Sequence, residues 1–379
     1  MKKKPFALES KVIIIKIGSA LLIKNEKFNL KWLESLVLDI CDLRKKKIKI
    51  IIVASGAVSL GKKYLEIKKN KKLKINEKQA CAACGQSILM KNFNKIFLAQ
   101  KIKIGQILLT FSETENRRKS LNVRDTIQTL LDSNIIPIIN ENDSVAIDEL
   151  KFGDNDRLAA RVAQIIEADI LILLSDVDGL YNFNPKKNKN AKLIRKINNI
   201  NKKIYKMAGN ETNSFGSGGM KTKIEASEIA SSFGCKTLIF SGLYNRPIQN
   251  FLKNSKKVGT VIEGKKTDSS YYKKWLFSSI NVLGKIIIDE GASIALKKGS
   301  SLLPSGVLQV KGRFIRGDIV EILTEDKKLV GKGIVLYDIE EAKLIIGKKT
   351  SEFIKILGYI GKEELIHRDN LILRRKINE

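Results

Sequence analysis

Between residues 11 and 240 the chain alternates short runs of β-branched and other apolar residues with longer segments whose apolar side chains recur every three or four positions. The run at 11–17 carries four isoleucines and stops at Gly18, a spacing that predicts a buried strand. Leu33, Leu36, Val37, Ile40 and Leu43 then fall at helical spacing, with lysines 45–47 at the end that the helix dipole favours for cations. Runs at 48–54, 104–110, 135–139, 170–174 and 237–240 repeat the strand pattern, and helices are expected near 77–99, near 122–133, after Asp154 and at 221–233. Strand and helix in such regular succession predict a parallel sheet covered by helices on both faces, an α/β architecture.

The rhythm changes after Gly264. Residues 265–280 are polar and lysine-rich, the composition of a linker, and from 281 onward short β-like segments are punctuated by Gly284, Gly291, Gly299, Gly306, Gly312 and later glycines. The expected organisation is an α/β domain over 1–264, a linker over 265–280 and a small, mainly β domain over 281–379.

With 379 residues, 43% of them hydrophobic, the chain has material for two cores, since a domain takes roughly 100–200 residues. The net charge of +30 invites a nucleic-acid reading, but only 13 of the 70 basic residues are arginine. Planar phosphate and base recognition favours arginine, so the lysine excess reads as compositional drift and no nucleic-acid partner is expected. Residues 281–379 carry a net charge of only +4, which leaves most of the excess on the larger part. Every apolar run falls short of the roughly 18 residues a membrane span needs. The lysines at 2–4 are followed by no uninterrupted apolar core of a signal peptide, so a cytoplasmic location is expected.

Cysteine and histidine chemistry is thin. Cys41, Cys81, Cys84 and Cys235 contain one C-x-x-C and no second pair, and the single histidine, His367, is distant in sequence. A zinc site is not expected, and Cys81 and Cys84, in an alanine-rich helical segment, read as small packing residues.

Five polar stretches fall where strands end, the place where parallel sheets bind ligands. Lys16-Ile17-Gly18-Ser19 closes the first strand, and Ser55-Gly56-Ala57 closes the second and opens a helix. Asn140-Glu141-Asn142-Asp143 follows the strand at 135–139, and Gly153-Asp154-Asn155-Asp156 comes after a loop. Ser175-Asp176-Val177-Asp178-Gly179 closes the strand at 170–174, and Gly216-Ser217-Gly218-Gly219-Met220-Lys221-Thr222-Lys223 runs into a helix. Each alone also admits a plain structural reading: an edge lysine, a helix cap, an Asx-rich loop, a hairpin turn, a hinge. Together at one sheet edge they suit phosphoryl transfer, which needs cations, a carboxylate to hold them and oriented amides. The glycine cluster is not a Walker A loop, because the spacing of that motif is absent.

These blocks resemble the glutamate 5-kinase family, amino-acid kinases that open proline synthesis. The resemblance rests on K-I-G-S at 16–19, S-G-A at 55–57, L-N-V-R-D-T at 121–126, P-I-I-N-E-N-D at 137–143, G-D-N-D at 153–156 and S-G-G-M-K-T-K at 217–223. The C-terminal part looks like a PUA domain, with D-E-G-A at 289–292, S-S-L-L-P at 300–304 and H-R-D-N at 367–370. Ser175 and Ser217 stand where many members have threonine, and both keep the hydroxyl.

The resemblance implies a three-layer α/β/α sandwich with a mostly parallel central sheet, the amino-acid kinase fold. It implies phosphorylation of the side-chain carboxylate of L-glutamate by ATP with Mg2+. Lys16 and Lys223 would neutralise the moving phosphoryl group while Asp156 holds them. Ser55, Gly56, Asp143 and Asn155 would bind glutamate. Lys16, Ser175, Asp176, Ser217, Gly218, Gly219, Met220, Lys221, Thr222 and Lys223 would contact ATP. It also implies a homo-oligomer, dimer or tetramer, and feedback inhibition by proline. Aspartate, acetylglutamate, carbamate and uridylate kinases share the phosphate machinery and are the nearest alternatives. An RNA-binding role through the PUA domain is the alternative of a different class.

Overall fold

The computed structural model describes residues 10–24, 27–68, 70–145, 155–185, 187–209, 219–254, 258–265, 282–348, 350–359 and 362–373. The chain divides into two compact units, one formed by residues 1–114 with 121–267 and the other by 115–120 with 268–379. Nearly all of the linker expected at 265–280 lies outside the described residues.

The first unit is built on an eight-stranded sheet. Its strands are β1 (Val12–Ile17), β2 (Lys49–Ala54), β3 (Ile104–Leu109), β4 (Ile136–Glu141), β5 (Ile170–Ser175), β6 (Lys196–Ile197), β7 (Lys236–Ser241) and β8 (Thr260–Ile262). They lie in the order β3-β4-β2-β1-β5-β7-β8-β6. All neighbours are parallel except β7 and β8. The helices that matter for the site are α1 (Leu30–Lys45), α2 (Ala57–Tyr64), α3 (Ile75–Ala99), α4 (Arg117–Asp132), α5 (Asn155–Ile165), α6 (Lys202–Ala208), α7 (Met220–Ser232) and α8 (Pro247–Asn254).

Side-chain alternation along the strands produces the layers. Ile13, Ile15 and Ile17 of β1 pack in one core with Leu33, Leu36 and Val37 of α1, Phe93 and Phe97 of α3, and Phe251 of α8. Ile14 faces the other way, into a core with Leu158 and Val162 of α5, Ile224 and Ala230 of α7, and Ile127 of α4. Both faces of the central strands are therefore covered, which is why they read as continuous apolar runs. Alternation also puts Lys16 on the face of Ile14, under α5 and α7.

β4 runs two residues beyond the strand expected at 135–139. Asn140 and Glu141 continue the ladder opposite Leu108 and Leu109 of β3, and both are buried. Their backbone groups gain sheet hydrogen bonds there, which outweighs the turn tendency of asparagine. The sequence pattern predicts none of β6, β8, α6 and α8, and the two strands are too short to display any periodicity.

The second unit has a five-stranded sheet in the order β10-β9-β11-β12-β13, from β9 (Gly284–Ile288), β10 (Val307–Gly312), β11 (Ile319–Thr324), β12 (Leu329–Ile334) and β13 (Leu371–Leu373). Its core gathers Ile286, Ile288, Phe314, Ile322, Tyr337 and Phe353. Asp289 caps the helix Glu290–Lys297 by accepting from the Ala292 amide at 2.6 Å. The acidic start of the D-E-G-A block thus has a local structural task.

Candidate active site

A buried carboxylate holds two ammonium groups at the carboxyl edge of the large sheet. Lys16 Nζ from β1 lies 2.6 Å from Oδ1 of Asp156, and Lys223 Nζ from α7 lies 3.0 Å from its Oδ2. The Thr222 hydroxyl is within reach of Asp156 Oδ2 at 3.1 Å and of the Gly219 carbonyl at 2.9 Å, its one proton serving either acceptor. Lys16 is 4% exposed, Lys223 7% and Asp156 0%. Burying an ion costs several kcal/mol unless it is paired. The two ammonium groups share this one carboxylate and stand side by side, an arrangement suited to an anionic ligand.

Residue position on the elements explains the convergence. Asp156 is the second residue of α5, where the helix start favours a carboxylate. Lys223 is in the first turn of α7, entered through Gly219. α5 and α7 cover the face of the sheet from which Lys16 projects.

Next to this cluster lies a relay of amides. Asn155 Nδ2 has three acceptors for its two protons: Asn140 Oδ1 at 2.7 Å, the Ala54 carbonyl at 2.8 Å and Ser55 Oγ at 3.0 Å. Asn140 Oδ1 also accepts from the Glu141 amide at 2.9 Å, and Asn140 Nδ2 donates to Gln86 Oε1 at 2.8 Å. The relay ties the carboxyl ends of β2 and β4 to the start of α5. Ser55 and Gly56 are half-buried in the turn from β2 into α2, and Asp143 is half-buried in the turn after β4.

On the other side of Lys223 a cavity of 360 Å³ opens over the end of β5, lined by Ser175, Asp176, Gly179, Tyr181, Phe183, Met207, Gly219, Met220 and Lys223 among others. That volume lies in the range of small-molecule sites, roughly 300–1,000 Å³, and aromatic and thioether walls beside a few polar groups suit a flat heterocycle. Thr222 contacts the ion cluster, while Lys221 is exposed. Ser217, Gly218, Gly153 and Asp154 lie outside the described residues.

Sequence reasoning missed Gln86 and the cavity walls. Gln86 sits in a helix read only for its packing, and Tyr181, Phe183 and Met207 fall in a stretch with neither helical nor strand period. Burial favours the neutral thiol at two of the cysteines: it pushes the Cys235 thiol well up, and Cys81, also desolvated, is raised. Among the described residues no group of three metal-binding side chains occurs, and no helix is long and apolar enough to cross a membrane.

Comparison with known proteins identifies the family. A model of the amino acid kinase family matches residues 11–241, and a model of the PUA domain matches 284–357. The glutamate 5-kinase of Pelagibacter ubique is 47% identical over 96% of this chain and 98% of its own length. That of Brucella anthropi is 43% identical over 97% of this chain and 96% of its own. Among solved structures, a UMP kinase from Ureaplasma parvum superposes on 67% of this chain and 99% of its own, at 18% identity and a TM-score of 0.47. At that identity and coverage with the two curated relatives, the chain belongs to the glutamate 5-kinases of the amino acid kinase family.

Proposed function

We infer that this chain transfers the terminal phosphoryl group of ATP to the side-chain carboxylate of L-glutamate, giving L-glutamyl 5-phosphate and ADP, the first step toward proline. The observation that carries this reading is the double position of Lys223, which lines the cavity and binds Asp156. A nucleotide with its base in the cavity would present its last phosphate to the paired ammonium groups. The family membership supports the choice of acceptor.

In the reaction a carboxylate oxygen bonds to the γ-phosphorus as the bond to the β–γ bridging oxygen breaks, and ADP leaves with that electron pair. An ionised carboxylate has no proton to lose, so no general base is required. Lys16 and Lys223 would balance the charge spread over the moving group, and Asp156 would hold both ammonium groups in place before substrate arrives. Fixed donors in a water-poor site are each worth roughly 3–4 kcal/mol of barrier. Ser55, Gly56 and Asn155 would position glutamate, with Asp143 facing its ammonium group. Ser175, Asp176 and residues 217–223 would follow the nucleotide.

Magnesium does not find a protein site of its own among the described residues, where the one central carboxylate is engaged by two lysines. Mg2+ commonly keeps several waters and rides on phosphate oxygens, and it would enter here with the nucleotide. Proline shares the α-carboxylate and amine of glutamate and would compete at that end of the site. A homo-oligomer joined through residues 1–264, with 281–379 as an accessory domain, completes the proposal.

Release of ADP, measured with glutamate, aspartate, N-acetylglutamate and uridine monophosphate in parallel, tests the acceptor. Turnover with glutamate alone is expected; preference for any of the others would overturn the reading.

A further inference from the structure

Gln86 leaves α3 beside Gly85, where α3 touches the first residue of α2. A Cβ on Gly85 would come within 1.8 Å of the Ala57 carbonyl oxygen, so only glycine allows this approach. The contact holds Gln86 beside the Ser55-Gly56-Ala57 turn.

The orientation of its amide is fixed from a distance. The Ala54 carbonyl can only accept, which makes the group of Asn155 facing it the amide nitrogen. That nitrogen and the Glu141 N–H both point at Asn140, which must answer with Oδ1. Asn140 is left to donate its Nδ2 to Gln86, which must answer with Oε1. The relay therefore turns Gln86 Nε2 outward from the network, where it is buried and has no hydrogen-bond partner among the described residues. A buried donor left without an acceptor is costly, and such groups in folded proteins usually meet a ligand or a water.

We propose that Gln86 Nε2 donates a hydrogen bond to the α-carboxylate of the amino-acid substrate and makes the site selective for a free α-carboxylate. The proposal rests on the glutamate kinase reading above. An amide nitrogen can only donate, so it suits an anionic oxygen and not the ammonium group. Its place fits as well: Asp156 marks the reacting end, and the hydrogen bonds from its neighbour Asn155 to Asn140 and from Asn140 to Gln86 put Gln86 two side chains removed from that end.

The full-length chain with Gln86→Met or Gln86→Glu, each checked for an unchanged thermal melt, separates contact from scaffolding. Methionine removes the donor and the acceptor. Glutamate as the replacement keeps an acceptor for Asn140 but turns an anionic oxygen toward the substrate. In Gln86→Met the KM for glutamate should rise about 10- to 100-fold, as loss of a hydrogen bond to a charged group does, with kcat and the KM for ATP nearly constant. Gln86→Glu should raise it further. It should also shift the ratio of kcat/KM for glutamate over its α-amide, whose NH2 can donate to the new carboxylate, at least about tenfold toward the amide. A near-normal glutamate KM in Gln86→Glu, or an unchanged ratio, would leave Gln86 only a support for Asn140 and overturn the proposal. Failure of the underlying reading would show in the unmodified chain, as absence of turnover with glutamate.

Discussion

Oδ1 of Asp156 lies 2.6 Å from Nζ of Lys16, and neither side chain has more than a few per cent of its surface exposed. The lysine projects from the first strand of the sheet and the aspartate opens a helix that packs over it, so the contact is made only when the layered fold is complete. Lys223 takes the second oxygen of the same carboxylate.

Replacing Lys223 by alanine should lower kcat roughly 100-fold, the loss expected when one preorganised charge no longer faces the transition state. Steady-state kinetics at saturating ATP and glutamate check this. Near-normal turnover would remove Lys223 from the chemistry.

Asp156→Asn should cost stability as well as activity. The substitution removes the carboxylate charge that both buried ammonium groups share, and breaking a buried pair in this way costs about 3–5 kcal/mol. Chemical denaturation should show the lower stability, and an unchanged midpoint would mean that the lysines relax into solvent.

Much of this was legible in the chain. The apolar runs marked the central strands because each is buried on both faces, and Lys16 stood out as a charge inside one of them. What could not be read was side-chain orientation within networks. Nothing in the composition of α3 separates Gln86 from its neighbours; its meaning comes from Asn140, whose own meaning comes from Asn155. The cavity walls were equally silent, because Tyr181 and Phe183 belong to an irregular segment held by tertiary contacts. The strand β6 was invisible because its pairing with β8 involves two residues.

One of those tertiary contacts gives a test of the cavity. Gly179 has φ +150°, and a Cβ there would lie 2.6 Å from Thr260 Oγ1 and 2.9 Å from Leu193 Cδ1. That hydroxyl accepts from the Leu180 amide at 2.8 Å and donates to the Ile194 carbonyl at 2.7 Å, pinning the cavity wall. Gly179→Ala should destabilise the chain by about 1–3 kcal/mol and raise the KM for ATP more than that for glutamate. Equal effects on both substrates would detach this wall from nucleotide binding.

Acid sensitivity has a local source at the far edge of the sheet. Burial alone would raise the Glu263 carboxyl, but hydrogen bonds from Lys236 and Lys196, each 3.2 Å away, outweigh it and hold the group below its ordinary value of 4.5. A depressed carboxylate adds stability above that value and loses it as pH falls through the folded-state value. Glu263→Gln should therefore cost up to about 1 kcal/mol at neutral pH and flatten the decline of stability below pH 4.5. Parallel decline curves for the two proteins would contradict this.

The most direct measurement is a crystal structure of the chain with a non-hydrolysable ATP analogue and glutamate bound together. Nζ of Lys16 and Nζ of Lys223 should each lie about 3 Å from oxygens of the terminal phosphate, with the glutamate side-chain carboxylate in line behind the phosphorus. A complex in which either ammonium group points away from that phosphate would contradict the assignment of Lys16, Asp156 and Lys223 as the transfer centre.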